Sequence, residues 1–407
     1  MTTSVKFNPF DAAFHQDPYP TYAALRREDP IHWSFLKAWV ITRYDDVNRI
    51  LKDDRNFVVD DLPERLTSKN KYLASGNLDP LAQTIHKWLF FLEPPDHNRL
   101  KNLVFSHFSP KAVEAMRPIV QENVNRLLAK VKHTGKMDVI RDFASPLPAL
   151  TVAHILGLDP EDHTKLIRWS YELFFVFDQP MSLKGYQRQN EMAIEARHYL
   201  LEIIEKKRNN PDAGLLSELV TAEEEENKLT QDEILGFCVM LFIVGQETTK
   251  SLISNALTTL IKQPELITQL REKPELIKPA IEELLRYDSP VQVIARLAKT
   301  DITIGEKTIK EKDKIILCVG AANRDPEIFP EPNKVDFLRE NHRLPFGGGI
   351  HFCLGAFLAR MQGQIAIEAI ANQLQNPQLV SEDLDWRESI TLRGLKTLEI
   401  TFDSTES

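Results

Sequence analysis

Apolar positions recur every three to four residues along most of the chain, a spacing typical of amphipathic helices. This pattern predicts helices over residues 44–52, 112–131, 147–156, 160–177, 189–208 and 276–287. The polar, irregular region 62–84 is expected to be a long loop with at most one short helix, and the charged run 223–226 a solvated loop. Helix therefore dominates the predicted secondary structure.

The longest predicted helix begins at Thr230-Gln-Asp-Glu233, where the threonine and the glutamate have the spacing of a capping box. The apolar pattern continues to about Gln263, just before Pro264. A helix of roughly 32 residues would be about 48 Å long. Polar residues in its middle, Gln246 to Thr249, follow an apolar run, and such groups are costly to bury unless they are paired or functional.

Short runs rich in β-branched residues predict a smaller amount of strand. They lie at 39–42, 302–304, 308–309, 314–319 and 390–402, and a last helix is expected from about 354 to 374. No internal repeat and no Gly/Ser linker divides the sequence. We therefore expect a mainly α fold with small β-sheets, formed as a single large domain over residues 1–407.

Composition and charge narrow the functional classes. The 407 residues carry a net charge of −9, which disfavours a general nucleic-acid-binding role. Three cysteines in so long a chain indicate a reducing compartment. The first twenty residues lack the pattern of a secretory signal, and no apolar run reaches the length of a membrane span. A cytoplasmic protein is expected, with a monomer as the default.

The strongest local anomaly is Phe346-Gly-Gly-Gly-Ile-His-Phe-Cys-Leu-Gly355, a glycine-rich loop that leads into a predicted helix. The start of a helix favours the thiolate form of Cys353, which suits a metal ligand or a nucleophile. A buried structural cysteine is the alternative. Zinc would need about four ligands and only His351 is nearby, whereas a cysteine hydrolase would need a His base. A haem iron would need one cysteine ligand.

The same loop resembles the haem-binding loop of the cytochrome P450 family. Three further segments resemble family motifs and follow in the family's order: Gly245-Gln-Glu-Thr-Thr249, Glu283-Leu-Leu-Arg286 and Ala322-Asn-Arg-Asp-Pro326. The resemblance extends from about Pro9 to Phe402. It implies the P450 fold, with the haem between the long central helix and the helix after the cysteine loop.

The resemblance also implies roles for individual residues. Cys353 would be the axial thiolate ligand of haem b, with Phe346 and Gly355 beside it. The propionates would be held by His97, Lys101, Arg296 and His351. Glu247 and Thr248 would form the pair that delivers protons during oxygen activation, and Glu283 and Arg286 would form a structural ion pair. Three departures from the family pattern are Val244 before Gly245, Lys101 in place of an arginine, and Lys334 where the family often has an arginine.

The implied activity is a monooxygenase that inserts one atom of dioxygen into a C–H bond or an alkene. Its substrate would be a medium-to-large hydrophobic molecule such as a polyketide, macrolide, fatty acyl chain or terpenoid, possibly carrier-bound. The implied substrate contacts are Phe237, Met240, Leu241, Val244, Val291, Gln292, Val293, Ile294 and Leu392. Alternatives are peroxide-driven oxidation, oxidative coupling, a haem-thiolate sensor without turnover, and a metal-free Cys353 hydrolase.

We expect no flavin or iron–sulfur domain within this sequence. The resemblance therefore implies an external ferredoxin or flavodoxin with its NAD(P)H reductase. Such donors are acidic, and a basic patch would steer them to the protein despite its net negative charge. The candidate patch residues are Arg99, Lys101, Lys111, Arg343 and Arg360.

Overall fold

The computed structural model describes residues 5–72, 77–178, 182–226, 229–340 and 344–404, with the side chains of residues 71 and 224–226 outside that description. The helices are α1 (Ala12–Gln16), α2 (Tyr19–Glu28), α3 (Tyr44–Lys52), α4 (Leu62–Ser68), α5 (Asp79–His86), α6 (Asp96–Phe108), α7 (Pro110–Ala115), α8 (Arg117–Val131), α9 (Pro146–Leu156), α10 (His163–Phe174), α11 (Leu183–Asn209), α12 (Leu215–Glu226), α13 (Gln231–Lys262), α14 (Pro264–Glu272), α15 (Ile277–Tyr287), α16 (Val319–Ala322) and α17 (Ala356–Gln373). The predominance of helix confirms the predicted fold class.

The strands are β1 (Ile31–Trp33), β2 (Ala38–Ile41), β3 (Phe57–Val58), β4 (Lys136–Asp138), β5 (Val293–Ala298), β6 (Ile302–Ile304), β7 (Lys307–Ile309), β8 (Lys314–Cys318), β9 (Gln375–Leu379) and β10 (Glu399–Asp403). One sheet has the order β1-β2-β8-β5-β3, another β4-β10-β9, and β6 pairs with β7. Within the first sheet, β2 and β8 run parallel, with Ala38 opposite Lys314.

The chain divides into two compact units, each drawn from separate stretches of sequence. Unit 1 comprises Met1–Asp60, Gln121–Ala144 and Thr248–Ser407. It contains the sheets and two apolar clusters, one around Ile315 and Leu317 on β8 and one around Phe7 and Tyr22 near the N-terminus.

Unit 2 comprises Asp61–Val120 and Ser145–Glu247 and is helical. Aromatic side chains fill much of its interior. Trp169 stacks on Phe242 with ring centroids 5.9 Å apart, and the rings of Trp88 and Phe177 lie 5.7 Å apart. Such pairs add stabilisation to the burial of their large apolar area.

The predicted capping box is confirmed at the start of α13. The backbone N–H of Thr230 donates to Glu233 Oε2 at 2.8 Å, and the Glu233 N–H donates to Thr230 Oγ1 at 3.2 Å. Two donors that a helix end leaves without partners are thereby satisfied. The helix ends at Lys262, because Pro264 after it cannot supply an N–H to the next turn.

Several predicted boundaries were wrong. Region 62–84 holds α4, a turn of 3₁₀ helix at Lys69–Tyr72 and the start of α5, whereas residues 73–76 lie outside the described part. Residues 223–226 end α12 rather than forming a loop, because Arg208 binds the Glu223 carboxylate at 2.6 Å and gives this charged turn a partner. The predicted helix at 112–131 is interrupted at Met116, and the predicted helix at 160–177 is α-helical only over His163–Phe174, with a 3₁₀ turn at each end.

Candidate functional site

The glycine-rich loop of unit 1 presents Cys353 at the surface, three residues before α17 begins. The Cys353 N–H donates to the Phe346 carbonyl at 3.1 Å, which closes the loop. Gly349 has a φ of +67°, and a Cβ there would lie 2.5 Å from the Leu51 carbonyl oxygen. Glycine is therefore required at this position for two independent reasons, its backbone conformation and the close approach of α3.

The three cysteines differ sharply in environment. Cys238 on α13 and Cys318 on β8 are fully buried. Burial raises the pKa of Cys238 to about 12 and the pKa of Cys318 further still. Those two thiols stay protonated and act as small apolar groups. Only Cys353 is exposed and lies just ahead of a helix start, so it is the thiol suited to ligation.

An ion pair lies against this loop. The Arg360 guanidinium carbon of α17 is 4.3 Å from the centroid of the Phe346 ring. Arg360 Nε donates to Glu282 Oε1 at 2.5 Å and Nη2 to Oε2 at 3.3 Å. Arg360 is thus held from two sides, by a carboxylate and by an aromatic face. The sequence had suggested Arg360 only as part of a basic patch.

The predicted Glu283–Arg286 pair is present on α15 and is completely buried. Arg286 Nε and Nη2 each bind one Glu283 oxygen at 2.8 Å. A third member is Arg339, whose Nε donates to Glu283 Oε1 at 3.1 Å. The expectation that Lys334 replaces an arginine of this network was wrong. Its ammonium is exposed, 4.0 Å from Glu331, and its backbone carbonyl accepts from both arginines.

The segment Ala322-Asn-Arg-Asp-Pro326 completes the same network. The Asn323 carbonyl accepts from Arg286 Nη1 at 3.0 Å, and the Asn323 side chain binds Ser289 and the Leu344 N–H. Asp325 accepts from the Tyr44 N–H at 2.9 Å. These bonds connect α15 and α3 to the stretch that leads to the cysteine loop, so the motif acts as structural support.

Two of the residues implied to bind the propionates lie on α6 in unit 2. His97 and Lys101 are four residues apart and therefore share one helix face. His97 is buried, with Nδ1 3.1 Å from Asn98 Oδ1, whereas Lys101 is half-buried. The other two lie in unit 1. Arg296 is buried on β5, and His351 is half-buried in a 3₁₀ turn, two residues before Cys353.

Glu247 and Thr248 are adjacent on α13. Glu247 belongs to unit 2 and is 2% exposed, although it carries a carboxylate. Ser170 Oγ of α10 lies 3.5 Å from Glu247 Oε1 and 3.4 Å from the Ile243 carbonyl. A buried carboxylate needs such polar neighbours. Sequence reasoning missed Ser170, which is one of several polar residues in an otherwise amphipathic helix.

One stripe of α13 is more open than the rest of the helix. Val244, Gly245 and Thr248 are half-buried, whereas residues 234–243 are buried. A Cβ on Gly245 would lie 2.9 Å from Val152 Cγ2 of α9, closer than real Cβ contacts come. Gly245 therefore allows α9 and the unit 2 part of α13 to pack closely.

Two of the implied substrate contacts, Gln292 and Val293, pack against residues in the interior of unit 1. Gln292 is buried and donates to the Ser289 carbonyl at 2.7 Å and to the Tyr19 hydroxyl at 3.3 Å. Val293 packs in the apolar cluster around Phe7 and Tyr22. Both side chains are buried within unit 1, and their contact with a substrate stays a prediction.

The other implied substrate contacts are apolar and remain predictions. Phe237, Met240 and Leu241 are buried on α13, and Leu392 is buried opposite the half-buried Val291 in an isolated β-bridge. Ile294 is half-buried, and its Cδ1 lies 3.6 Å from where a Cβ on Gly347 would be. Ile294 therefore lies beside the cysteine loop within unit 1.

The candidate basic patch is partly neutralised. Arg99 binds Glu233 at 2.6 Å and Asp96 at 3.0 Å, and Arg360 binds Glu282. Lys111 is exposed on α7, and Arg343 lies outside the described residues. Two of the five candidate patch residues, Arg99 and Arg360, are therefore paired with carboxylates and contribute less positive charge than the sequence indicates.

The donor set fits the haem that the sequence implies. Among the described residues, no three His, Cys, Asp or Glu side chains form a metal-binding group, which argues against zinc there. Cys353 offers a single exposed thiol, as a haem iron with one axial cysteine requires. Nothing within 4 Å would meet a Cβ on Gly355, so the backbone there is open to a flat ligand.

No helix in the described ranges has the length and apolarity needed to cross a bilayer. The family model described as Cytochrome P450 matches residues 31–376. The biotin biosynthesis cytochrome P450 of Bacillus subtilis (strain 168) is 39% identical over 396 residues, 96% of this chain and 97% of that protein.

Solved structures give the same result. The crystal structure of CalO2 matches with a TM-score of 0.92 and 31% identity over 98% of this chain and 99% of that one. The structure of P450BioI in complex with hexadec-9Z-enoic acid ligated acyl carrier protein matches with a TM-score of 0.88 and 38% identity, covering 96% and 99% of the two chains.

Proposed function

Because the chain belongs to the cytochrome P450 family of haem-thiolate monooxygenases, we propose that it oxidises a hydrophobic acyl chain at a C–H bond or an alkene. The observation that carries the haem assignment is the single exposed thiol of Cys353 in its closed glycine loop. Haem with a thiolate ligand activates dioxygen, placing one oxygen atom in the substrate and reducing the other to water.

In this proposal each part of the site has a defined task. Cys353 supplies the ligand sulfur, and its loop holds the thiolate in place through the Cys353 N–H bond to Phe346. Basic and polar side chains would hold the two propionates through hydrogen bonds, which are strongest where the donor is charged. These side chains are His97, Lys101, Arg296 and His351.

Proton delivery is assigned to α13. Glu247 carries protons inward at Oε1, and Thr248 donates its hydroxyl proton towards the reacting oxygen. The burial of Glu247 and its neighbour Ser170 support this role, since an acid kept from bulk water can exchange protons only along defined contacts. An intact acid–alcohol pair also favours oxygen-dependent turnover over a sensor that performs no chemistry.

The proposed substrate class is supported by the apolar character of the implied substrate contacts and by what similar proteins are named for. Most of the implied contacts are apolar, as an aliphatic chain requires. A relative named for biotin biosynthesis and a similar structure that holds a fatty acyl chain on a carrier protein support a carrier-bound fatty acyl substrate. Electrons would come from a ferredoxin or flavodoxin with its NAD(P)H reductase.

The first test is the carbon monoxide difference spectrum of the reduced protein, in which a red-shifted Soret band reports the thiolate ligand. Spin-state titration then compares a free fatty acid, the same acyl chain on acyl carrier protein, and a macrolide of similar mass. We expect the carrier-bound chain to bind at least tenfold more tightly than the free acid. Tighter binding of the macrolide would overturn the acyl assignment while leaving the haem assignment intact.

A further inference from the structure

The pair formed by Arg360 and Glu282 has no task in the proton or substrate chemistry. It nevertheless contacts the residue that closes the Cys353 loop: Arg360 stacks 4.3 Å from the ring centroid of Phe346, and Phe346 accepts the Cys353 N–H. The two charged side chains are 27% and 21% exposed, so water screens them only in part. A positive charge is thus held directly against a residue of the ligand loop, and a negative charge is held against that positive charge.

Charges near a redox centre shift its reduction potential in a direction set by their sign. Taking up one electron makes the iron site more negative, so a nearby cation favours the reduced form and a nearby anion disfavours it. The guanidinium of Arg360 lies directly against the ring of Phe346, and the carboxylate of Glu282 binds that guanidinium. The cation is therefore the closer of the two charges to the loop.

We propose that Arg360 and Glu282 form a charge pair that sets the reduction potential of the haem iron, with Arg360 raising it and Glu282 lowering it. This inference rests on the proposed ligation by Cys353. Arg360 is a positioning and electrostatic residue in this scheme and touches no substrate. Glu282 both holds the guanidinium against the ring and reduces its effect.

The experiment is a potentiometric titration of the holoenzyme with a chemical reductant and mediators, without substrate. A chemical reductant excludes any effect on the docking of a protein donor. The variants are Arg360→Gln, Glu282→Gln, their combination, and Arg360→Lys. Lys334→Gln is the matched control, because it removes one positive charge from an exposed side chain of the same unit.

We expect Arg360→Gln to lower the ferrous-to-ferric ratio at a fixed potential about three- to tenfold, a tenfold change being 59 mV for one electron. Glu282→Gln should shift the ratio in the opposite direction. The double variant should lie between the two single variants, and Arg360→Lys should keep most of the wild-type ratio. Raising the ionic strength should reduce each difference, because both side chains are partly exposed.

A purely mechanical role makes a different prediction. If the pair only fixes the position of the Phe346 ring, either single variant makes that ring more mobile. Both variants then shift the reduction potential in the same direction. That result, or shifts no larger than those of Lys334→Gln, would overturn the proposal. If the Arg360→Gln variant does not retain haem, the direction of the potential shift in Glu282→Gln decides the question. Absence of a thiolate-type carbon monoxide spectrum in the wild-type protein would instead refute the ligation by Cys353.

Discussion

At the scale of single residues, environment determines which of several similar side chains can do chemistry. Cys353 is exposed, whereas the other two thiols are buried and have a raised pKa. The sequence could identify Cys353, because the glycines around it are a local signal. It could not identify Arg339 as the partner of Glu283, because 56 residues separate the two in the sequence.

Replacing Cys353 with alanine is expected to remove the thiolate ligand and with it the red-shifted Soret band of the carbon monoxide complex. The measurement is the difference spectrum together with the haem content of the purified protein. Cys238→Ala is the matched control, since this thiol is buried on α13 and stays protonated at neutral pH. A red-shifted band that survived in Cys353→Ala would contradict the assignment.

Thr248→Ala should uncouple electron use from product formation, because the hydroxyl that guides protons is gone. We expect NAD(P)H consumption to continue while the product formed per NAD(P)H falls roughly tenfold or more, since a positioned proton donor contributes about 10²–10⁴-fold to a rate. Thr258→Ala is the matched control, because it removes a hydroxyl of the same helix that donates to the Ser254 carbonyl at 2.9 Å. Equal coupling in the two variants would remove Thr248 from the proposed path.

At the scale of elements, α13 follows rules that a sequence makes visible: a capping box at its start and a proline after its end. Region 62–84 was harder to predict, because α4 and α5 are short and their stability depends on packing against each other and not on a long periodic pattern. The sequence also does not predict strand β5, because its local pattern is weak. Its residues Arg296 and Ala295 break the apolar alternation that identifies a strand.

The cap of α13 also couples the stability of the protein to pH. Burial would raise the pKa of Glu233, but hydrogen bonds from Arg99 and from the Thr230 N–H outweigh that and hold the pKa below its usual value of 4.5. A lowered pKa contributes stability above about pH 4.5 that is lost as the pH falls through the folded-state value. Glu233→Gln keeps the cap but loses the charge, so the difference from wild type should shrink towards pH 3.

Thr230→Ala serves as the comparison for this prediction. It removes the side-chain acceptor of the cap and should cost about 1 kcal/mol. Because the threonine carries no charge, that cost should stay nearly constant between pH 7 and pH 4. Urea unfolding followed by circular dichroism measures both variants. A pH-independent cost for Glu233→Gln would contradict the role of the ion pair.

Gly245→Ala tests the packing of α9 on the unit 2 part of α13. Helix propensity alone favours alanine by about 1 kcal/mol. The new Cβ would lie 2.9 Å from Val152 Cγ2, however, and overpacking typically costs about 1–3 kcal/mol. We expect a net loss of stability that Val152→Ala partly restores in the double variant. If Gly245→Ala stabilised the protein, the close approach would not be the reason for the glycine.

At the scale of the whole molecule, neither compact unit is a continuous stretch of chain. The sequence predicts a single domain because it contains no linker. That prediction is compatible with two compact units, because the chain passes from one unit to the other several times and no one linker joins them. Tertiary networks such as Glu283, Arg286 and Arg339 then connect parts of unit 1 that lie far apart in sequence.

Breaking this network should destabilise the whole protein. Arg286→Met leaves the buried Glu283 without its bidentate partner, and such a loss typically costs about 3–5 kcal/mol. Arg339→Met should cost less, because it removes a single bond to Glu283 and leaves the bidentate bond from Arg286 in place. Lys334→Gln should change stability by less than about 0.5 kcal/mol. Thermal unfolding and retained haem measure all three, and a large effect of Lys334→Gln would restore it to the network.

The parallel pairing of β2 with β8 has a consequence for how the protein is made. Ala38 leaves the ribosome long before Lys314, its partner in the register. At about 5–20 residues per second, the N-terminal strands wait roughly 15–55 s for that partner. During this interval the hairpin of β1 and β2, with its aromatic residues Trp33 and Trp39, has an unpaired edge. Until Lys314 arrives, that edge exposes backbone N–H and C=O groups that can pair with another chain, so slow synthesis lengthens the period in which the nascent protein is prone to aggregate.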